Sequence, residues 1–280
     1  MKKVIITGCN GQLGRALNLE LDKTQYELIN TDVAELDITD IDKVITLVEK
    51  EKPYAIINCA AHTGVDACET QEDLAYRINA IGPRNLSIAA NKVGAKIVHI
   101  STDYIFSGDK EGVYTEFDAP GPKGAYGRTK LAGEDFVKAF SNQYFIIRTA
   151  WLYGDGKNFV KTMLKLSESH DTVKVVADQY GSPTSAKQLA AMIAYLLPTS
   201  NYGLFHGTCE GSCNWAEFAE EIFRLAGKNV KVEHISTEEF GAPAPRPANS
   251  ILENKMLKLT TDFSFIHWKD AIKEYMKEMI

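Results

Sequence analysis

Cysteine is scarce in this 280-residue sequence, and its five copies, Cys9, Cys59, Cys68, Cys209 and Cys213, are odd in number. That excludes a disulfide framework and fits reduced thiols. Cys209 and Cys213 have no second pair and the six histidines show no ligand spacing, so no metal site is expected. Long apolar runs are missing too: none approaches the length of a membrane span. Met1-Lys2-Lys3 leads only four apolar or β-favouring residues before Gly8, too few for a secretory signal. A basic excess is also absent. With 31 basic against 37 acidic side chains the net charge is −6, which argues against a nucleic-acid partner. No internal repeat or low-complexity tract interrupts the chain. The expectation is a cytoplasmic globule that engages neither membrane nor nucleic acid.

What is present is alternation. Short apolar strands at Val4 to Ile6, Tyr26 to Thr31, Ala55 to Ile57, Lys96 to Ile100 and Tyr144 to Ile147 are separated by helical patterns. Those helices read as Gly14 onward through Leu17, Leu19 and Leu21, then Asp40 to Lys50, Val65 to Val93, and Tyr126 to Phe140. Continuous apolar strands between helices indicate an α/β fold, a doubly wound parallel sheet covered on both faces. The second half is less regular. Helices are expected at Asn158 to Ser169, Ser185 to Leu197, Trp215 to Ala226 and Lys269 to Met279, with strands at Val173 to Val176 and Gly203 to Phe205. Gly241 to Pro247 holds three prolines in seven residues and reads as a loop. At 280 residues the chain suits about two domains, or one large one with an embellishment.

Gly8-Cys9-Asn10-Gly11-Gln12-Leu13-Gly14 lies between the first strand and the first helix. Glycines there let the backbone approach a pyrophosphate, and the helix N-terminus offers free N–H groups and a positive dipole end. Asp32 follows the second strand, 24 residues after Gly8, where a carboxylate can accept from ribose hydroxyls and so favours NADH over NADPH. Arg15 lies close enough to the glycine loop to tolerate a 2′-phosphate, so either coenzyme remains open. Asp37 can reach an adenine while Thr39 or Asp40 caps the next helix. Small residues after the third strand, Cys59-Ala60-Ala61, leave room for a flat cofactor.

Tyr126 and Lys130 stand four apart at the start of a helix and share one face. A second pair with that spacing, Tyr153 and Lys157, spans a glycine turn, where no such face exists. An ammonium beside Tyr126 is expected to lower its pKa and make it an acid for an alkoxide near neutral pH. Thr102, at the end of the fourth strand, can hydrogen-bond the same carbonyl oxygen.

The glycine triplet, the strand-end hydroxyl, the Tyr126/Lys130 pair and the segment Asn79 to Leu86 (NAIGPRNL) resemble the extended short-chain dehydrogenase/reductases. Within them the chain is most similar to the dTDP-4-dehydrorhamnose reductase family. The likeness rests on NCAAHTGVD (58–66), STDYIFS (101–107), YGRTKLAGE (126–134), RTAWLY (148–153), NFVKTML (158–164), DQYGSPT (178–184) and RPANS (246–250). The resemblance implies NADPH- or NADH-dependent reduction of the C4 ketone of dTDP-4-dehydro-L-rhamnose. Tyr126 would donate the proton, Lys130 would hold the nicotinamide ribose, and Thr102 would polarise the carbonyl. It places Gly11, Gln12, Leu13, Asp32, Asp37, Ile38, Ala61, His62 and Thr63 at cofactor positions, beside Gly8, Asn10, Gly14 and Ala60 of the motifs above. Thr102, Asp103 and Trp151 fall at sugar-nucleotide positions, with Asn158 and Arg246 as pyrophosphate partners. It also implies that residues 1–150 form the cofactor domain and that 185–208 return to it. Residues 151–184 and 209–280 would then form a substrate lobe.

Some relatives are dimers bridged by Mg²⁺ through a glutamate after the glycine loop. This chain has Ala16 near that position and Lys187 in the later matching helix, so a monomer or a homodimer without a metal bridge is expected. Two other readings share the fold. An epimerase or 4,6-dehydratase would recycle bound NAD, and a dehydratase would carry an acidic pair where Asp103 is followed by Tyr104. A non-catalytic partner, as in the regulatory subunit of methionine adenosyltransferase, would not need Tyr126, Lys130 and Thr102.

Overall fold

The computed structural model describes residues 1–279. The first half runs β1 (Lys2–Thr7), α1 (Gln12–Glu20), β2 (Tyr26–Thr31), α2 (Ile41–Glu51), β3 (Ala55–Asn58), α3 (Val65–Thr70), α4 (Glu72–Tyr76), α5 (Gly82–Val93), β4 (Lys96–Thr102), α6 (Ala125–Phe140) and β5 (Tyr144–Thr149). The second runs β6 (Leu152–Tyr153), α7 (Phe159–Leu166), β7 (Thr172–Val176), β8 (Tyr180–Gly181), β9 (Thr184–Ser185), α8 (Ala186–Leu196), β10 (Gly203–His206), β11 (Cys213–Asn214), α9 (Trp215–Leu225), β12 (Lys231–Ile235), α10 (Thr237–Phe240), α11 (Lys255–Thr260) and α12 (Trp268–Met279).

Six strands form one parallel sheet in the order β10-β5-β4-β3-β1-β2. Side chains of a strand alternate between faces. Accordingly Val4, Ile6, Ile57 and Ile147 join a core under α1 and α8, while Ile5, Ile56 and Ile146 join a second core under α2, α5 and α6. This is the doubly wound α/β fold that the strand pattern implied. The strand at 203–206 extends the sheet beyond β5, although it lies more than fifty residues further along the chain. All five cysteines are free, and no described helix is long and apolar enough to cross a membrane.

Local differences have local causes. Leu19 points to solvent at 86% exposure, because it lies on the outer face of α1 while Leu17 and Leu21 take the inward positions. The single helix expected over 65–93 is three helices. Gln71 breaks the first pair, and a turn of π-helix at Arg77–Ile81 joins the second. The strand β12, parallel to β7, exposes polar Lys231, Glu233 and His234 and carries too little apolar signal to be read from the sequence.

Helix α6 sits unusually close to its neighbours. A Cβ on Gly127 would lie 2.2 Å from the Tyr104 carbonyl oxygen, and one on Gly133 2.2 Å from that of Asn79. Glu134, next along, forms two hydrogen bonds to Arg148 of β5, at 2.9 and 2.8 Å, with both side chains at 2% exposure or less. Removing one member of a buried pair strands the other charge. Glu134→Ala is expected to cost roughly 3–5 kcal/mol in urea unfolding. A loss below about 1 kcal/mol, the scale of an exposed pair, would contradict this account of how α6 is held.

Candidate active site

All six strands end along one edge of the sheet, and the winding reverses between β1 and β3. A cleft of about 1220 Å³ opens at that point, where such sheets hold ligands. Gly8 follows β1 at φ +64°, and a Cβ there would lie 2.8 Å from the Ala60 nitrogen. A Cβ on Gly14 would lie 2.5 Å from the Gly8 carbonyl oxygen, so only glycines let loop, strand and helix close together. Helix α1 starts after Gly11 with no side-chain cap, and Gly11, Gln12, Leu13 and Gly14 line the cleft. Free helix N–H groups at a glycine loop suit a phosphate.

Asp32 and Asn10 form one end of this wall, the carboxylate accepting from the Asn10 N–H at 3.2 Å. Asp37 accepts from the Thr39 N–H and hydroxyl at 2.9 and 2.8 Å and also lines the cleft. Asp40, not Thr39, caps α2. Ile38 is buried where Gly82 leaves it space, and Ala60, Ala61 and Thr63 complete the wall.

Tyr126, Lys130, Thr102 and Asp103 come together at the other end. Thr102 is the last residue of β4, and its hydroxyl donates to Asp103 Oδ1 at 2.9 Å while accepting from the Tyr104 N–H. Burial pushes the Asp103 carboxyl from 3.8 up to about 6, against the hydrogen bond from Thr102. Lys130 Nζ, 2% exposed, donates to the Ile100 carbonyl at 2.6 Å. Burial lowers it to about 8, with the Glu134 carboxylate opposing.

The expected lowering of the Tyr126 pKa by Lys130 is not what this geometry gives. Desolvation of the phenol and the Asp103 charge raise it above its ordinary value, and the neighbouring Thr102 hydroxyl opposes only in part. Lys130 gives one of its three donors to the Ile100 carbonyl and does not offset this rise. Tyr126 therefore stays a protonated acid.

Trp151, just after β5, also lines the cleft. It adopts φ +48°, and its ring fills the space a Cβ on Gly181 would need, 2.5 Å from Cε2. Its face stacks on Trp215 at 3.5 Å and 7°. Trp215 also lines the cleft, and so do Arg15 and Asp155. No sequence signal marked Trp215 or Asp155, since each acts through a partner more than sixty residues away in the chain.

Three expected site residues hold other contacts within the protein. His62 does not line the cleft; its ring faces the Cys68 thiol while its backbone is clamped by Asn79. Asn158 caps α7 through the Lys161 N–H and donates to Gly154 at 2.7 Å, so its amide is committed to structure. Arg246 lies outside the cleft lining and forms two hydrogen bonds to Asp66, at 3.1 and 3.0 Å, tying the proline loop to the start of α3.

Four buried polar atoms lining the cleft have no partner: Gln12 Oε1, Ser101 Oγ, Asp103 Oδ2 and Thr149 Oγ1. Buried polar groups left unpaired are costly, and these four are placed to meet a polar ligand in the cleft. Together with the glycine cradle they fit a dinucleotide at one end and a hydroxylated molecule at the other.

Fold and cleft define an extended short-chain dehydrogenase/reductase. The chain belongs to the family described as the RmlD substrate binding domain, whose model matches residues 1–280. It is similar to a solved dTDP-4-dehydrorhamnose reductase from Clostridium acetobutylicum, at 54% identity and TM-score 0.97, covering 99% of each chain. It is also similar to the Bacillus anthracis dTDP-4-dehydrorhamnose reductase solved in complex with NADP, at 49% identity and TM-score 0.97, covering 99% of this chain and 100% of that one. The Bacillus subtilis spore coat polysaccharide biosynthesis protein SpsK is 39% identical over 99% of this chain and 98% of its own.

The buried Asp103 carboxyl makes a pH prediction. Its folded pKa lies above the unfolded value, so the folded state binds the proton more tightly and loses stability as pH rises from about 4 to 6. The full penalty, about 3 kcal/mol, persists above that window. Asp103→Asn should therefore raise the urea midpoint at pH 8 and leave it almost unchanged near pH 4. A gain independent of pH would contradict the assignment.

Proposed function

We propose that the protein reduces the C4 ketone of dTDP-4-dehydro-L-rhamnose to dTDP-L-rhamnose with NADPH or NADH. The observation that carries this reading is the Tyr126 phenol, kept protonated beside Thr102 in the same cleft as the glycine loop. A reduction of a ketone needs such an acid.

The glycine-loop amides and the start of α1 bind the coenzyme diphosphate, and Asp32 accepts from the adenosine ribose. Lys130 orients the nicotinamide ribose; still charged at pH 7, it also supplies local positive charge in an acidic protein. The reduced nicotinamide, when bound, supplies a hydride to C4. Tyr126 Oη gives its proton to the C4 oxygen as negative charge develops there, and Thr102 holds that oxygen in place. Asp103 Oδ2, without a protein partner, accepts from a sugar hydroxyl. The stacked Trp151 and Trp215 faces close the sugar-nucleotide end and limit water.

The same reading divides the chain into a cofactor domain (1–150 with 185–208) and a substrate lobe (151–184 and 209–280). It also assigns a monomer or a homodimer without a metal bridge. The residues present do not fit a bridging cation. Lys187 places its ammonium on Glu278 at 2.6 Å, and a divalent ion there would be repelled.

The test follows oxidation of NADPH and of NADH, each with dTDP-4-dehydro-L-rhamnose. Turnover with at least one coenzyme is expected, and none with either would overturn the proposal. Tyr126→Phe should lower kcat by roughly 10²–10⁴-fold with little change in coenzyme affinity. A variant retaining full activity would remove Tyr126 from the proton-donor role.

A further inference from the structure

One group of contacts in the cleft has no part in the reaction above. Arg15, in the first turns of α1, donates through Nε to the Asn10 carbonyl at 2.8 Å. Its Nη1 reaches across the cleft to Asp155 Oδ2, also at 2.8 Å. The Asn10 N–H in turn donates to Asp32, so one residue separates the guanidinium from the carboxylate assigned to the adenosine ribose. Asn10, Arg15, Asp32 and Asp155 all line the same cleft.

We infer that Arg15 is the determinant for an adenosine 2′-phosphate, and that Asp155 competes with that phosphate for its guanidinium. This rests on the coenzyme reading above and goes beyond it by assigning the choice between NADPH and NADH to a partner exchange. Asp32 alone would repel a 2′-phosphate. Arg77, Lys130 and Lys157 also line the cleft, but Arg15 is the cation bonded to Asn10, which meets Asp32. The Arg15–Asp155 pair is exposed, at 49% and 67%, and such pairs are weak enough to exchange. A phosphate carries more charge than a carboxylate and accepts more strongly from a guanidinium. Asp155 is not stranded by the exchange, because its other oxygen keeps Lys161 at 3.3 Å. With NADH bound, Arg15 stays on Asp155 and Asp32 meets the free ribose hydroxyls.

The experiment uses two probes without nicotinamide, ADP-ribose and 2′-phospho-ADP-ribose, with binding to the full chain measured by calorimetry. Arg15→Ala should weaken 2′-phospho-ADP-ribose roughly 10- to 100-fold and ADP-ribose less than about 3-fold. Asp155→Asn, which removes the competitor, should tighten 2′-phospho-ADP-ribose by about 3-fold and leave ADP-ribose unchanged. Equal losses for both probes in Arg15→Ala would overturn the inference. So would an Asp155→Asn variant that binds 2′-phospho-ADP-ribose no better than the wild type. Either result leaves the coenzyme site intact provided the wild type binds ADP-ribose. Failure of the wild type to bind either probe would overturn the site and the inference together.

Discussion

Helix α6 carries Tyr126 and Lys130, and its position depends on the absence of two side chains. Gly127 and Gly133 let it rest against the Tyr104 and Asn79 carbonyls, where any Cβ would collide. Glu134 then locks the helix to β5 through a buried pair with Arg148. Position follows from packing, and chemistry follows from position. With α6 this close, the Tyr126 phenol meets the Thr102 hydroxyl and Asp103, and Lys130 reaches the Ile100 carbonyl.

The electrostatics of the site run against the usual simple expectation. A lysine one helical turn from a tyrosine suggests a lowered phenol pKa. Here desolvation and the Asp103 carboxylate raise it, while one Lys130 donor is taken by a strand carbonyl. For a reductase this is the useful direction. The acid must hold its proton at neutral pH until an alkoxide develops. The net charge of −6 opposes anionic ligands at long range, so the proposed coenzyme binding rests on local donors: the α1 N–H groups, Lys130 and, by the further inference, Arg15.

Much of this was legible in the sequence because it is encoded locally. Strand β2 spans Tyr26–Thr31 as its apolar pattern implied, and the glycine triplet falls between β1 and α1. The acid after β2 and the hydroxyl that ends β4 lie in the cleft as their strand-end places suggested. What escaped depends on contacts across the chain. The Trp151–Trp215 stack joins residues 64 apart, and Arg15 meets Asp155 across 140. Asn158 and Arg246 show the opposite case. Both are polar residues in motifs, yet one also caps a helix and the other also ties down a loop. Polar type at a motif position does not reveal whether the group is already partnered.

The central claim is that Tyr126 is held as a neutral acid. An ultraviolet difference titration of phenolate absorbance, wild type minus Tyr126→Phe, tests it directly. The account predicts no Tyr126 ionisation below its ordinary value of 10. A phenolate appearing near pH 7 would contradict it and restore Lys130 as the group that sets the tyrosine's charge.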